Sequence, residues 1–122
     1  MKKIFILILC LFAFNANAKE TTFKKELFDK AQAEGKVVIV SSWIKYCSSC
    51  ASQMKVLDKA KNDFDNIEYF AFDVTNKEIA ELFDVQYQTT LLIFKDKKLV
   101  YRSIGETTKD LIYKAIKSSI KI

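Results

Sequence analysis

Four consecutive β-branched residues, Val37-Val38-Ile39-Val40, run into a decapeptide that ends in two cysteines three positions apart. It reads Ser41-Ser42-Trp43-Ile44-Lys45-Tyr46-Cys47-Ser48-Ser49-Cys50. A continuous apolar run of this kind is the pattern of a strand buried on both faces, so the chain must supply a layer of structure on each side of a sheet. The rest of the sequence meets that demand. Phe23, Leu27, Phe28 and Ala31 mark one face of a first helix, which Gly35 ends as a C-terminal cap. After Cys50, apolar residues recur at Met54, Leu57, Ala60 and Phe64 with helical spacing. Ile67 to Phe72 predicts a second strand. Thr75-Asn76-Lys77-Glu78 predicts a capping box, and Ile79, Leu82 and Phe83 give the helix behind it an apolar stripe. Leu91 to Phe94 and Leu99 to Ile104 flank Lys95-Asp96-Lys97-Lys98, a polar turn of hairpin length. Leu111, Ile112, Ala115, Ile116, Ser119 and Ile120 trace a last helix. The order is α-β-α-β-α-β-β-α. Its first crossover is expected to be parallel and right-handed, which gives an α/β fold with helices on both faces of a mixed four-stranded sheet.

Residues 1–18 are set apart from this pattern. Lys2 and Lys3 precede an apolar run from Ile4 to Phe14, and Asn15-Ala16-Asn17-Ala18 follows with small residues at Ala16 and Ala18. This is the arrangement of a cleavable signal peptide cut before Lys19. The apolar run is short of the roughly 20 residues of a spanning helix, so no stable membrane insertion is expected after cleavage. Cys10 follows Leu9, where a lipid-modified cysteine would need a small neighbour. The expected organisation is a signal peptide at 1–18 and one domain at 19–122, exported to the periplasm or beyond. The formal charge of +5 falls when Lys2 and Lys3 leave, and acidic and basic residues interleave throughout. No stripe for nucleic acid is present.

Export decides how the cysteines read. Of the three, Cys10 leaves with the signal, and the chain has no histidine. The destination permits disulfides. Cys47 falls at the start of the helix after the buried strand, where unpaired backbone N–H groups and the helix dipole favour an anion. A thiolate there has a lowered pKa and is the nucleophile. Cys50, one turn on, is shielded and placed to attack a mixed disulfide formed at Cys47. Other readings stand beside this one. A zinc site needs about four ligands, and two cysteines supply half of it unless two molecules share the ion. A purely structural disulfide would close so short a loop that its entropic contribution is small. No metal and no cofactor are expected.

Taken together, Val37 to Cys50 resembles the active-site strand and W-x-x-W-C-x-x-C motif of the thioredoxin-like family, with Tyr46 in the second tryptophan's place. Val85-Gln86-Tyr87-Gln88-Thr89-Thr90-Leu91-Leu92-Ile93-Phe94 is similar to that family's V-x-x-x-P-T-L-x-x-F segment, and Gly105 matches its glycine after the last strand. The resemblance runs from residue 22 to 120. It implies a three-layer α/β/α sandwich and a periplasmic thiol–disulfide oxidoreductase that reduces disulfides of exported proteins. Cys47 would attack and Cys50 resolve, the two cycling through a Cys47–Cys50 disulfide, with Trp43, Tyr46, Gln88 and Thr89 around the substrate. The implied partners are exported protein thiols or disulfides and a membrane electron donor. The alternative is a binding module on the same fold, its cysteine pair idle or metal-linked. Lys45 lies near enough in sequence to lower the Cys47 pKa, although a solvated surface lysine is the simpler reading.

The chain makes four departures from the family pattern. Ser41 stands where the family has a buried aspartate, and Tyr69 where its companion lysine falls. A serine hydroxyl cannot replace a carboxylate as general base near neutral pH. Thr89 occupies the cis-proline position, where a non-proline cis bond costs about 2.5–4 kcal/mol. Either that strain is sustained or the loop is trans and reshaped, and a threonine brings a hydroxyl within reach of the sulfurs. Ser48-Ser49 replaces Gly-Pro. Lys55 replaces the proline that kinks the active-site helix, which predicts a straighter helix.

Overall fold

The computed structural model describes residues 21–122; the expected signal peptide and Cys10 lie outside them. Within that range the elements are α1 (Lys25–Ala33), β1 (Val37–Trp43), α2 (Ser48–Asp63), β2 (Ile67–Asp73), α3 (Lys77–Leu82), β3 (Thr90–Lys95), β4 (Lys98–Ile104) and α4 (Lys109–Ile120). The strands form one sheet in the order β2-β1-β3-β4. β1 runs parallel to β2 and antiparallel to β3, and β3 and β4 make an antiparallel hairpin.

β1 is buried along its whole length, and its alternation builds the two layers. Val38 and Val40 point into a cluster with Phe23, Phe28, Phe72 and Phe83, which joins the sheet to α1 and α3. Val37 and Ile39 point the other way, to Leu57 of α2 and Ile112 and Ile116 of α4. The molecule is therefore an α/β/α sandwich, as the continuous apolar run demands. Phe23 and Phe28 pack against Phe83 with ring centroids 5.1 and 5.3 Å apart, edge to face, a geometry that adds to their area burial.

The helices meet solvent more widely than their stripes suggest. Leu27, Leu82 and Leu111 are about half exposed, because each layer fills its core with one side of a short helix and leaves the flank of the stripe outside. The cap of α3 also differs by one residue. Asn76 is the N-cap and its side chain accepts from the Ile79 N–H at 3.2 Å, while Thr75 turns back to donate to Asp73 at 2.8 Å. Asparagine is the better cap, and Asp73 occupies the threonine.

Three local features fix the ends and the edge of the sheet. Gly35, at φ 79°, closes α1 and leads through Lys36 into β1. Asp96 and Lys97 both lie in the left-handed region, as a two-residue hairpin turn requires. Along the outer edge of β2, Thr22 donates to Ala71 O and accepts from Ala71 N, and Thr21 accepts from Asp73 N, which covers backbone groups an edge strand would leave open.

Candidate active site

β1 ends at Trp43 and the chain turns through Tyr46, at φ 62°, into α2. Cys47 is the N-cap of that helix, and its sulfur accepts from the Cys50 N–H at 3.2 Å. An unpaired donor of the first turn thus points at the sulfur, which is the arrangement that stabilises a thiolate. Cys47 and Cys50 form a disulfide with their Cα atoms 5.3 Å apart. Cys47 is partly exposed and Cys50 fully buried. Trp43 and Ala71 pack with Cys50 from below, and Met54 and Tyr69 border the same cluster. Lys45 is exposed, which fits a solvated lysine. α2 runs unbroken from Ser48 to Asp63 through Lys55.

The loop before β3 lies over the sulfurs. Among the described residues no peptide bond is cis, so the loop is trans and reshaped, and Thr89 sits at φ 61°. A β-branched residue rarely adopts that conformation, and bonds from three directions hold it there. Its N–H donates to Ser42 O at 2.9 Å, and its carbonyl accepts from Gly105 N at 2.8 Å and Gln53 Nε2 at 3.2 Å. Gly105, at φ 88°, therefore anchors the end of β4 to the loop. The Thr89 hydroxyl is 3.2 Å from Cys50 Sγ, 3.7 Å from Cys47 Sγ and 2.9 Å from Ser49 Oγ. Ser49 Oγ in turn lies 3.4 Å from Cys47 Sγ.

Beneath the pair, Ser41 Oγ and Tyr69 OH are hydrogen-bonded at 2.9 Å. The two positions where the family carries a carboxylate and a lysine are here a neutral bonded pair. Burial pushes the Tyr69 hydroxyl well above the usual tyrosine range, and the Ser41 bond only partly offsets it, so Tyr69 stays protonated.

Two contributors escaped the sequence reading. Ser42 donates to Tyr87 O at 2.8 Å and accepts from Thr90 N at 3.0 Å, stapling the loop to β1. Gln53, fully buried, donates to Thr89 O and to Glu106 O at 2.8 Å. A polar residue on the inner face of a helix was the available signal, since burial of an amide requires partners. Of the other expected residues, Tyr46 is fully exposed, Gln88 is exposed beside Thr89, and Trp43 is buried.

A sulfur pair at a helix start, one member accessible and one shielded under a loop, defines a disulfide oxidoreductase of the thioredoxin fold. Comparison with known proteins agrees. The family model described as Thioredoxin matches residues 16–118, and the chain belongs to the thioredoxin family. It is 29% identical over 93 residues to the thioredoxin of Chlamydia trachomatis, covering 75% of this chain and 90% of that one. It is 26% identical over 90 residues to the H-type thioredoxin of Fagopyrum esculentum, covering 73% and 78%. Among solved structures, Trxlp from Edwardsiella tarda superposes with a TM-score of 0.71 at 27% identity, over 77% of this chain and 94% of that one.

Proposed function

We propose that this protein is an exported thiol–disulfide oxidoreductase that reduces disulfides of other exported proteins, drawing electrons from a membrane donor. The observation that carries the chemistry is the division of labour at the helix start, with Cys47 accessible under a backbone donor and Cys50 buried behind it. The Cys47 thiolate attacks one sulfur of a substrate disulfide and releases the other as a thiolate. Cys50 then gives up its proton and attacks Cys47, and the second substrate sulfur leaves with its electron pair. The protein pair is oxidised by two electrons and the substrate disulfide is reduced by two. Tyr46 and Gln88, on the two loops that flank the disulfide, supply an exposed rim for the substrate chain, with Thr89 at its centre and Trp43 supporting Cys50. The basic start, apolar run and Ala16-x-Ala18 site support export.

A second direction has its own support. The Cys50 N–H and the hydroxyls of Ser49 and Thr89 surround Cys47 Sγ. Donors to a thiolate stabilise the reduced form and make a pair more oxidising. Equilibration of the Cys47–Cys50 pair with glutathione, alongside turnover of insulin disulfides, separates the two. A potential near the thioredoxin value and insulin turnover are expected; a strongly oxidising potential without turnover reverses the direction. Cys50→Ser is expected to capture mixed-disulfide partners from the exported fraction. Should Cys47→Ser leave partner binding unchanged, the protein is a binding module with an idle pair.

A further inference from the structure

Resolution requires Cys50 to lose a proton in a place where solvent does not reach it. Its sulfur is fully buried, and burial among apolar groups raises a thiol's pKa. Of the described partly buried hydrophobic residues packed against its cluster, Cys47 and Tyr69 carry titratable groups. Cys47 is bonded to substrate at that moment. Tyr69 is engaged with Ser41, and its own proton is tightly held. The carboxylate position beneath the pair is thus filled by hydroxyls that cannot act as a base.

Above the pair, a line of hydroxyls runs from the buried sulfur to the surface. Cys50 Sγ lies 3.2 Å from Thr89 Oγ1, Thr89 Oγ1 lies 2.9 Å from Ser49 Oγ, and Ser49 Oγ lies 3.4 Å from Cys47 Sγ. Thr89 is buried and Ser49 exposed, so the line has a dry end and a wet end. Its dry end is held firmly, with both backbone polar groups of Thr89 bonded, to Ser42, Gly105 and Gln53. The left-handed backbone that these bonds enforce aims the hydroxyl at the disulfide. Strain kept in place by this many partners at a reacting centre points to a role for the group it positions.

We propose that Thr89 and Ser49 form a hydroxyl relay that carries the Cys50 proton out during resolution. Cys50 Sγ passes its proton to Thr89 Oγ1, whose own proton moves to Ser49 Oγ. Ser49 releases its proton to the sulfur departing from Cys47, or to water beside it. The Cys50–Cys47 bond forms as the bond from Cys47 to the substrate sulfur breaks, and both hydroxyls end as they began. The relay does the work of the missing base by moving the proton in concert, so no hydroxyl bears a lasting charge. It rests on the oxidoreductase reading above and adds the residues that set its second step.

The test is a single-turnover reaction of the reduced protein with glutathione disulfide. Acid quenching and mass spectrometry follow the mixed disulfide as it forms and resolves. Thr89→Val keeps the branched shape and removes the hydroxyl; resolution is expected to slow on the order of 100-fold, the lower end for a positioned proton-transfer group. Its rate should then climb about tenfold per pH unit below the thiol pKa, as for a thiol that must ionise unaided, while the wild-type profile is flatter. Thr89→Ser should restore most of the rate. Ser49→Ala, at an exposed position where a substitution is expected to cost little stability, should slow resolution about tenfold. It carries the test if the Thr89 variants do not fold. Wild-type resolution in Thr89→Val or in Ser49→Ala, or a Thr89→Ser protein as slow as Thr89→Val, overturns the relay alone. A wild-type protein that forms no mixed disulfide overturns the relay together with the oxidoreductase reading.

Discussion

Ser41 and Tyr69 illustrate what single residues reveal and what they conceal. The motif spacing shows that a carboxylate and a lysine are both missing at those positions. It does not show that their replacements bond to each other, because Ser41 on β1 and Tyr69 on β2 are brought together only by the strand pairing. The same holds for Thr89. Its identity is plain in the sequence, but its trans, left-handed backbone depends on acceptors and donors from Ser42, Gly105 and Gln53. A part-buried neutral pair makes a definite prediction. Ser41→Ala strands the Tyr69 hydroxyl and Tyr69→Phe strands that of Ser41, and each is expected to cost about 1–3 kcal/mol, the range for a buried polar group left alone. The double variant should recover part of the loss, with a coupling of about 1 kcal/mol in urea denaturation. Strictly additive losses would mean that the bond does not hold β1 to β2 beneath the disulfide.

At the scale of elements, the helix after the cysteines was legible from its apolar spacing, and its start from the position of Cys47. Gln53 was not, since a glutamine within a helical stripe carries no sign of what it will meet. It reaches Thr89 O, just before β3, and Glu106 O, just after β4, so α2 positions the loop as well as the nucleophile. Gln53→Leu keeps the bulk and removes both bonds. A loss of about 2 kcal/mol is expected, seen as a fall in Tm of roughly 10 °C, together with slower resolution because Thr89 loses a support. An unchanged Tm would show that Gly105 and Ser42 suffice. At its far end α2 is tied to α4, where the Tyr113 hydroxyl donates to Asp63 at 2.6 Å. That bond is the largest influence holding the Asp63 carboxyl below its usual range; desolvation opposes it, and the nearby Lys59 and Lys109 add to it. On the other partner, desolvation first and the Asp63 bond second push the Tyr113 hydroxyl up to about 12. A carboxyl lowered in the folded state stabilises above its unfolded pKa, and the contribution fades as pH falls through the folded value. In Tyr113→Phe the Asp63 carboxyl should titrate higher by NMR, and the mutant should lack that component of the wild type's acid sensitivity.

For the molecule as a whole, the layer order was readable because β1 is apolar on both sides. One strand of that kind forces helices onto both faces, and Val38 and Val40 against Val37 and Ile39 divide the core accordingly. The exposed leucines were not readable, since a stripe on a short helix does not say how far its neighbours will cover it. The same division sets apart the redox pair. Cys50 belongs to a small cluster with Trp43 and Ala71, distinct from the two larger cores. The disulfide spans a sequence separation of 3, and closing so short a loop removes little unfolded-state entropy, about 2 kcal/mol in the chain-entropy account. An oxidoreductase needs this insulation, because its fold must survive in both states of a cycle that makes and breaks the same bond. The reduced protein is therefore expected to unfold in a single cooperative transition, with Tm lower than that of the oxidised form by about 10 °C or less. Thermal unfolding followed by circular dichroism with and without reductant measures this directly. A reduced protein that melts without cooperativity would place the disulfide among the structural supports of the fold, and the pair could then no longer cycle freely.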